Sequence, residues 1–207
     1  LAVLRDNQCV DDECFMVAAT VTRALDGQRV DYGRIVAFRG TKPASEMKTW
    51  PHVAAGVSHS LIDERARLAR DTETGVATVT GHSLGGTCAT AFLELVYSNS
   101  PATGIIVFNP GAGAHTGLNQ PWQESAVKAM RRAGAACEIH YCVNDPINSA
   151  TNLKSFVWAD RSRATYFRTY VHNTPKSLKD VLGNHSLGSF LEPEQAIRPI
   201  PFQMSGP

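Results

Sequence analysis

The chain has 207 residues and is 43% hydrophobic, enough for one globular domain with a real core or at most two small ones. Its 20 basic and 19 acidic side chains leave a net charge of +1 with no block of like charge, which excludes the electrostatic footprint of a nucleic-acid binder. No apolar run approaches the length of a membrane span, and the chain begins LAVLRDN, without an initiator methionine or leader pattern, as a processed chain or an excised domain would.

Taken in chain order, the segment ECFMVAATVTRAL (13–25) reads as a helix and GRIVAFRG (33–40) as a strand. GVSHSLIDERARLAR (56–70) carries apolar residues at 57, 61, 62, 68 and 69, a helical stripe. GVATVT (75–80) is a strand, LGGTCATAFLELVYS (84–98) a helix and TGIIVFN (103–109) a buried strand. PWQESAVKAMRRAG (121–134) has proline near its start and glycine at its end, as a helix would. ACEIHYCV (136–143) and ATYFRTYV (164–171) complete the strands. Short apolar strands alternating with helices predict an α/β fold, a largely parallel sheet covered by helices on both faces. The whole of 1–207 reads as one domain, with 192–207 a proline-rich C-terminal extension running extended over the surface.

Five cysteines, an odd count, do not read as a disulfide framework in a chain of this size. Cys137 and Cys142 would stand about 16 Å apart on one strand, beyond a bridge. Cys88 reads as a small core residue in a helix, and Cys9 with Cys14 is the one local pair that could close. The spacings match no zinc pattern.

The stretch VTGHSLGG (79–86) sets Ser83 between glycines, after a predicted strand and at the start of a predicted helix. That is the strand–turn–helix setting of a nucleophile elbow, with Gly81, Gly85 and Gly86 allowing a tight turn and close packing. The alternative is a Gly-rich turn for phosphate, but neither GxGxxG nor GK[ST] is present. A triad on such an elbow runs in the order Ser, Asp, His. Asp145, Asp160 and Asp180 lie between Ser83 and the last histidine. Asp145 leaves a predicted parallel strand and points to its carboxyl edge, whereas Asp160 reads as a turn residue and Asp180 as the polar face of 174–182. Of seven histidines, order leaves His172 and His185; His172 alternates with Tyr166 and Tyr170 on a strand, and His185 lies on a loop after Gly183 that can swing an imidazole to Ser83. His82 is inside the elbow, its side chain expected to leave the turn in another direction.

Together, VTGHSLGG and the upstream IVAFRGT (35–41) resemble the class 3 lipases, fungal triacylglycerol-lipase-like α/β-hydrolases, over about residues 14–191. The resemblance implies an α/β-hydrolase fold and a serine ester hydrolase acting on lipid acyl esters, as a lipase, esterase or phospholipase. It implies catalysis by Ser83, Asp145 and His185, with Thr41 and Leu84 supplying the oxyanion hole. Pro146 follows Asp145 directly, a partial match to the family's D-x-[VI]-P; HSLGSF around His185 is similar to the family's H-[SL]-x-x-[YF], with Phe190 one residue further on. No metal or cofactor is required. Partners would be a lipid or ester substrate and, transiently, a membrane or lipid interface; no nucleic acid is implied. The family's lid falls at 42–56, where Trp50 and Val53 would face substrate; the segment is short, which predicts a small or absent lid and weak interfacial activation. Two other readings share these residues: a non-catalytic lipase-like interaction domain, and another acyl hydrolase such as a thioesterase or peptidase.

Overall fold

The computed structural model describes residues 2–5, 15–25, 28–41, 60–96, 99, 103–110, 137–142, 145, 168–172, 185 and 198–199. Their strands form one sheet in which spatial order follows chain order: β1 (Ala2–Arg5), β2 (Met16–Leu25), β3 (Gln28–Phe38), β4 (Val76–His82), β5 (Gly104–Phe108), β6 (Cys137–Cys142), β7 (Arg168–His172) and β8 (Arg198–Pro199). The five strands β3 to β7 are parallel, and β1, β2 and β8 run antiparallel to their neighbours. With helices α1 (Ser60–Thr72) and α2 (Leu84–Val96), the class is α/β with a mixed sheet.

Three sequence expectations need correction. Residues 16–25, expected within a helix, form β2. Val17, Thr20, Val21 and Thr22 are stiff at χ1 and suit a pleated surface, and β2 finds hydrogen-bonding partners on both sides, from β1 and from β3. The β2–β3 pairing runs from Met16↔Phe38 to Leu25↔Gln28 and brackets Asp26-Gly27, a hairpin signal that the helical reading passes over. The second correction concerns the tail. Arg198 and Pro199 pair with Val171 and Tyr170, so this part of 192–207 belongs to the sheet edge. The third concerns the α1 stripe: the buried residues are Ile62, Arg65, Ala66 and Ala69, and Leu68 is exposed.

The core lies between the sheet and the two helices. Ile62, Ala66 and Ala69 of α1 meet Cys88, Ala89, Phe92 and Leu93 of α2 above Val36, Phe38, Val79, Ile105, Val107 and Ile139 of the sheet. Phe92 is 1% exposed and its ring lies 6.0 Å from that of Phe38, which in turn stacks on Phe15. Burying a side chain of this size stabilises by about 1.5–3 kcal/mol. The two helices pack on each other and α2 packs on β3, β4 and β5, so both share one face of the sheet. Right-handed crossovers between strands that advance in one direction place them there. The expected helix 121–134 lies outside the described residues, and the Cys9–Cys14 pair does too. Cys88 and Cys142 are buried thiols.

Below α1, Arg34 of β3 donates from Nε to Oε2 of Glu73 at 2.6 Å, with the Glu73 side chain nearly inaccessible. This ion pair ties the start of the β3–β4 contact to the end of α1. It holds the chain where Gly33, at φ +82°, lets Ala77 approach within 2.7 Å of the position a Cβ would take.

Candidate active site

Because β3 to β6 are parallel and adjacent, the residues that follow each of them gather at one carboxyl edge. Thr41 follows β3, Ser83 follows β4, Asn109 follows β5 and Asp145 follows β6. The sequence itself sets this convergence, by ending each apolar strand in Gly, Asn, Asp or Pro.

Ser83 sits at φ +54° between the end of β4 and the first residue of α2. A non-glycine residue in this region is strained by about 1–3 kcal/mol, and the surroundings hold it there. Its N–H donates to Phe108 O at 3.1 Å, and its carbonyl accepts from Gly86 N at 2.9 Å and Thr87 N at 3.3 Å. The glycines make the turn possible. A Cβ on Gly81 would stand 2.2 Å from Gly85 O, and one on Gly85 would stand 2.2 Å from Phe38 O. The elbow is therefore pressed backbone to backbone against the end of β3.

His185 bridges the other two members of the group. Its Nδ1 is 2.7 Å from Oδ1 of Asp145 and its Nε2 is 2.7 Å from Oγ of Ser83. An ionised carboxylate can only accept, so Nδ1 carries the proton and Nε2 is left to accept from the serine hydroxyl. Asp145 is fully buried, and its N–H donates to Cys142 O at 3.0 Å, which fixes the carboxylate just beyond β6. Ser83 is 3% exposed and the His185 side chain 12%, so the line of three groups is largely shielded from water.

Thr41 and Leu84 flank the serine. Thr41 Oγ1 is buried with no hydrogen-bond partner among the described residues, a polar atom in search of an acceptor. A Cβ on the preceding Gly40 would lie 3.8 Å from Ser83 Cβ, so the FRGT segment abuts the elbow. Leu84 is the first residue of α2, and its N–H has no intrahelical acceptor. The helix N-terminus adds partial positive charge beside Ser83. Trp50 and Val53 lie outside the described residues.

The chain matches no protein-family model and no curated protein.

Two further residues at this edge were not anticipated. The His82 side chain, expected to leave the turn away from the site, lies beside His185 with ring centroids 5.0 Å apart and Nε2 2.6 Å from the His185 carbonyl oxygen. Burial, reinforced by the neighbouring His185, lowers its pKa from 6.5 to about 4. Asn109 is fully buried at φ +39°, a conformation asparagine tolerates better than most residues. Its Oδ1 accepts from Cys142 N at 2.9 Å and its own N–H donates to His140 O at 2.8 Å. The Asn109-Pro110 pair at a strand end marks a turn in the sequence, though not its purpose. His140, on β6, stacks on Phe108, and burial lowers its pKa. Among the described residues no group of three or more His, Cys, Asp or Glu side chains is placed to hold a metal ion.

Proposed function

We propose that the protein is a serine hydrolase of carboxylic esters, built on an α/β-hydrolase fold and related in mechanism to the class 3 lipases it resembles. The observation that carries this reading is the continuous pair of 2.7 Å hydrogen bonds from Ser83 through His185 to Asp145. A buried serine, imidazole and carboxylate in that order have a chemical use that packing alone does not require.

His185 takes the hydroxyl proton as Ser83 Oγ attacks the ester carbonyl. Asp145 holds the imidazole in the Nδ1–H form and stabilises the imidazolium that results. The carbonyl oxygen becomes an oxyanion, met by the N–H of Leu84 and by Thr41, whose buried hydroxyl then gains a partner. A donor of this kind contributes about 3–4 kcal/mol to the transition state. His185 returns the proton to the departing alcohol, leaving an acyl-serine. Water, deprotonated by His185, then attacks the acyl group, and the carboxylic acid leaves as Ser83 is regenerated. Lipid acyl esters are the substrate class, on the strength of the FRGT and GHSLGG resemblance.

A fluorophosphonate probe tests the core of the reading. The wild-type chain is expected to be labelled and Ser83→Ala is not. An unlabelled wild type removes the hydrolase altogether. A series of nitrophenyl esters, thioesters and phospholipids then distinguishes an ester hydrolase from a thioesterase by relative kcat/KM.

A further inference from the structure

The proposed mechanism uses one imidazole, yet a second lies against it. His82 Nε2 is 2.6 Å from the carbonyl oxygen of His185, and Asn109 Nδ2 is 3.5 Å from the same atom. One backbone oxygen, that of the proposed general base, thus faces two side-chain donors. Both donors are themselves anchored. Asn109 is tied to β6 through Cys142 N and His140 O. His82 is the last residue of β4, and the position of a Cβ on Gly40 lies 3.3 Å from its Nδ1, so its ring is walled in by the FRGT segment.

We propose that His82 is a positioning residue for His185: as the Nε2–H tautomer it donates to the His185 carbonyl and, with Asn109, clamps the main chain from which the base projects. The inference rests on the reading of Ser83 as a nucleophile activated by His185. The two donors come from strands β4 and the end of β5, the same strands that place Ser83. The clamp therefore refers the base to the nucleophile's own framework, across a sequence separation of 103 residues. Donation requires a proton on Nε2, since a carbonyl can only accept, so a neutral ring must be the Nε2–H form. The depressed pKa of about 4 keeps the ring in that neutral form, and His82 adds no positive charge when His185 becomes an imidazolium in turnover. The two rings then hold opposite tautomers, Nε2–H at His82 and Nδ1–H at His185.

The test compares His82→Phe, which keeps a ring without a donor, with His82→Gln, whose amide nitrogen reaches the place of Nε2. In the phenylalanine variant kcat for a nitrophenyl ester is expected to fall about 10- to 100-fold while KM stays within about twofold. Fluorophosphonate labelling should slow in proportion, and the glutamine variant should recover most of the loss. Nitrogen NMR of the wild-type protein at neutral pH supplies a measurement independent of whether the variants fold: His82 should carry its proton on Nε2. A wild-type kcat in the phenylalanine variant overturns the inference, as does a glutamine variant no better than phenylalanine or a His82 protonated on Nδ1. Failure here is distinct from failure of the hydrolase reading, which shows as a wild-type Ser83 that the probe does not label.

Discussion

Replacing Gly85 by alanine asks how closely the elbow and the end of β3 must approach. In an exposed helix the change is favourable by up to about 1 kcal/mol, because alanine loses less backbone entropy. Here the added Cβ would lie 2.2 Å from Phe38 O and 2.7 Å from Arg39 O. A carbon and a carbonyl oxygen rest at about 3.3 Å or more, so roughly 1 Å of separation must be found. The obstructing atoms are backbone of a paired strand, which cannot rotate away as a side chain would. Overpacking of this kind costs about 3 kcal/mol, and the helical gain reduces the net loss to about 2 kcal/mol. The same displacement moves Thr41 relative to Ser83, and a shift of about 1 Å at a reacting centre costs about 100-fold in rate. Urea denaturation followed by circular dichroism reads the first effect, and initial rates on a soluble nitrophenyl ester read the second. Gly75→Ala is the control. It lies at φ +64° with nothing within 4 Å of the added Cβ, so it should lose about 1–2 kcal/mol through backbone strain and keep its activity. A Gly85→Ala protein with wild-type stability or wild-type rate would refute the argument from close approach.

Asp145→Asn should lower kcat by about 10⁴-fold, because an amide can donate to Nδ1 and so favours the wrong imidazole tautomer; burst kinetics on an activated ester measure it. Folding stability should fall with acid through His82, which faces His185 and Asp145. Its pKa is lower folded than unfolded, so the unfolded chain binds the proton more readily between pH 6.5 and about 4. The stabilisation is complete above pH 6.5 and is lost as pH falls to about 4; at about 1.4 kcal/mol per pH unit it amounts to about 3 kcal/mol. Urea titrations from pH 7 to 4 should show a limb shallower by that amount in His82→Gln than in the wild type. Arg34→Leu leaves the carboxylate of Glu73 buried beside an apolar group and should cost about 3 kcal/mol, whereas the double change with Glu73→Leu should cost less. Thermal denaturation of both proteins decides this.

The strands nearest the site were legible because they are short β-branched runs closed by turn residues. β4, β5 and β6 fall within one or two residues of their expected bounds. β2 was not, since MVAATVTRAL mixes helix-favouring alanine and leucine with valine and threonine, and its pairing with β3 decides its conformation. The same division holds at the edge of the sheet. Ser83 was marked by a motif, and Asp145 and His185 by the order a triad must take together with their loop settings and the family resemblance. His82 and Asn109 carried no comparable mark. Each meets His185 at a backbone carbonyl, 103 and 76 residues away in sequence, and a carbonyl is present on every residue. Only the folded chain says which one they meet.

A sheet whose spatial order repeats its chain order has a consequence for synthesis. Each strand from β2 to β7 can add to one already made, so the sheet can grow in step with the ribosome. The bond between Ser83 and His185 cannot, because it spans 102 residues. At about 5–20 residues per second, Ser83 waits on the order of 5–20 s for His185 to be made. A nascent chain therefore holds Ser83 without its His185 partner until seven of the eight described strands have been made.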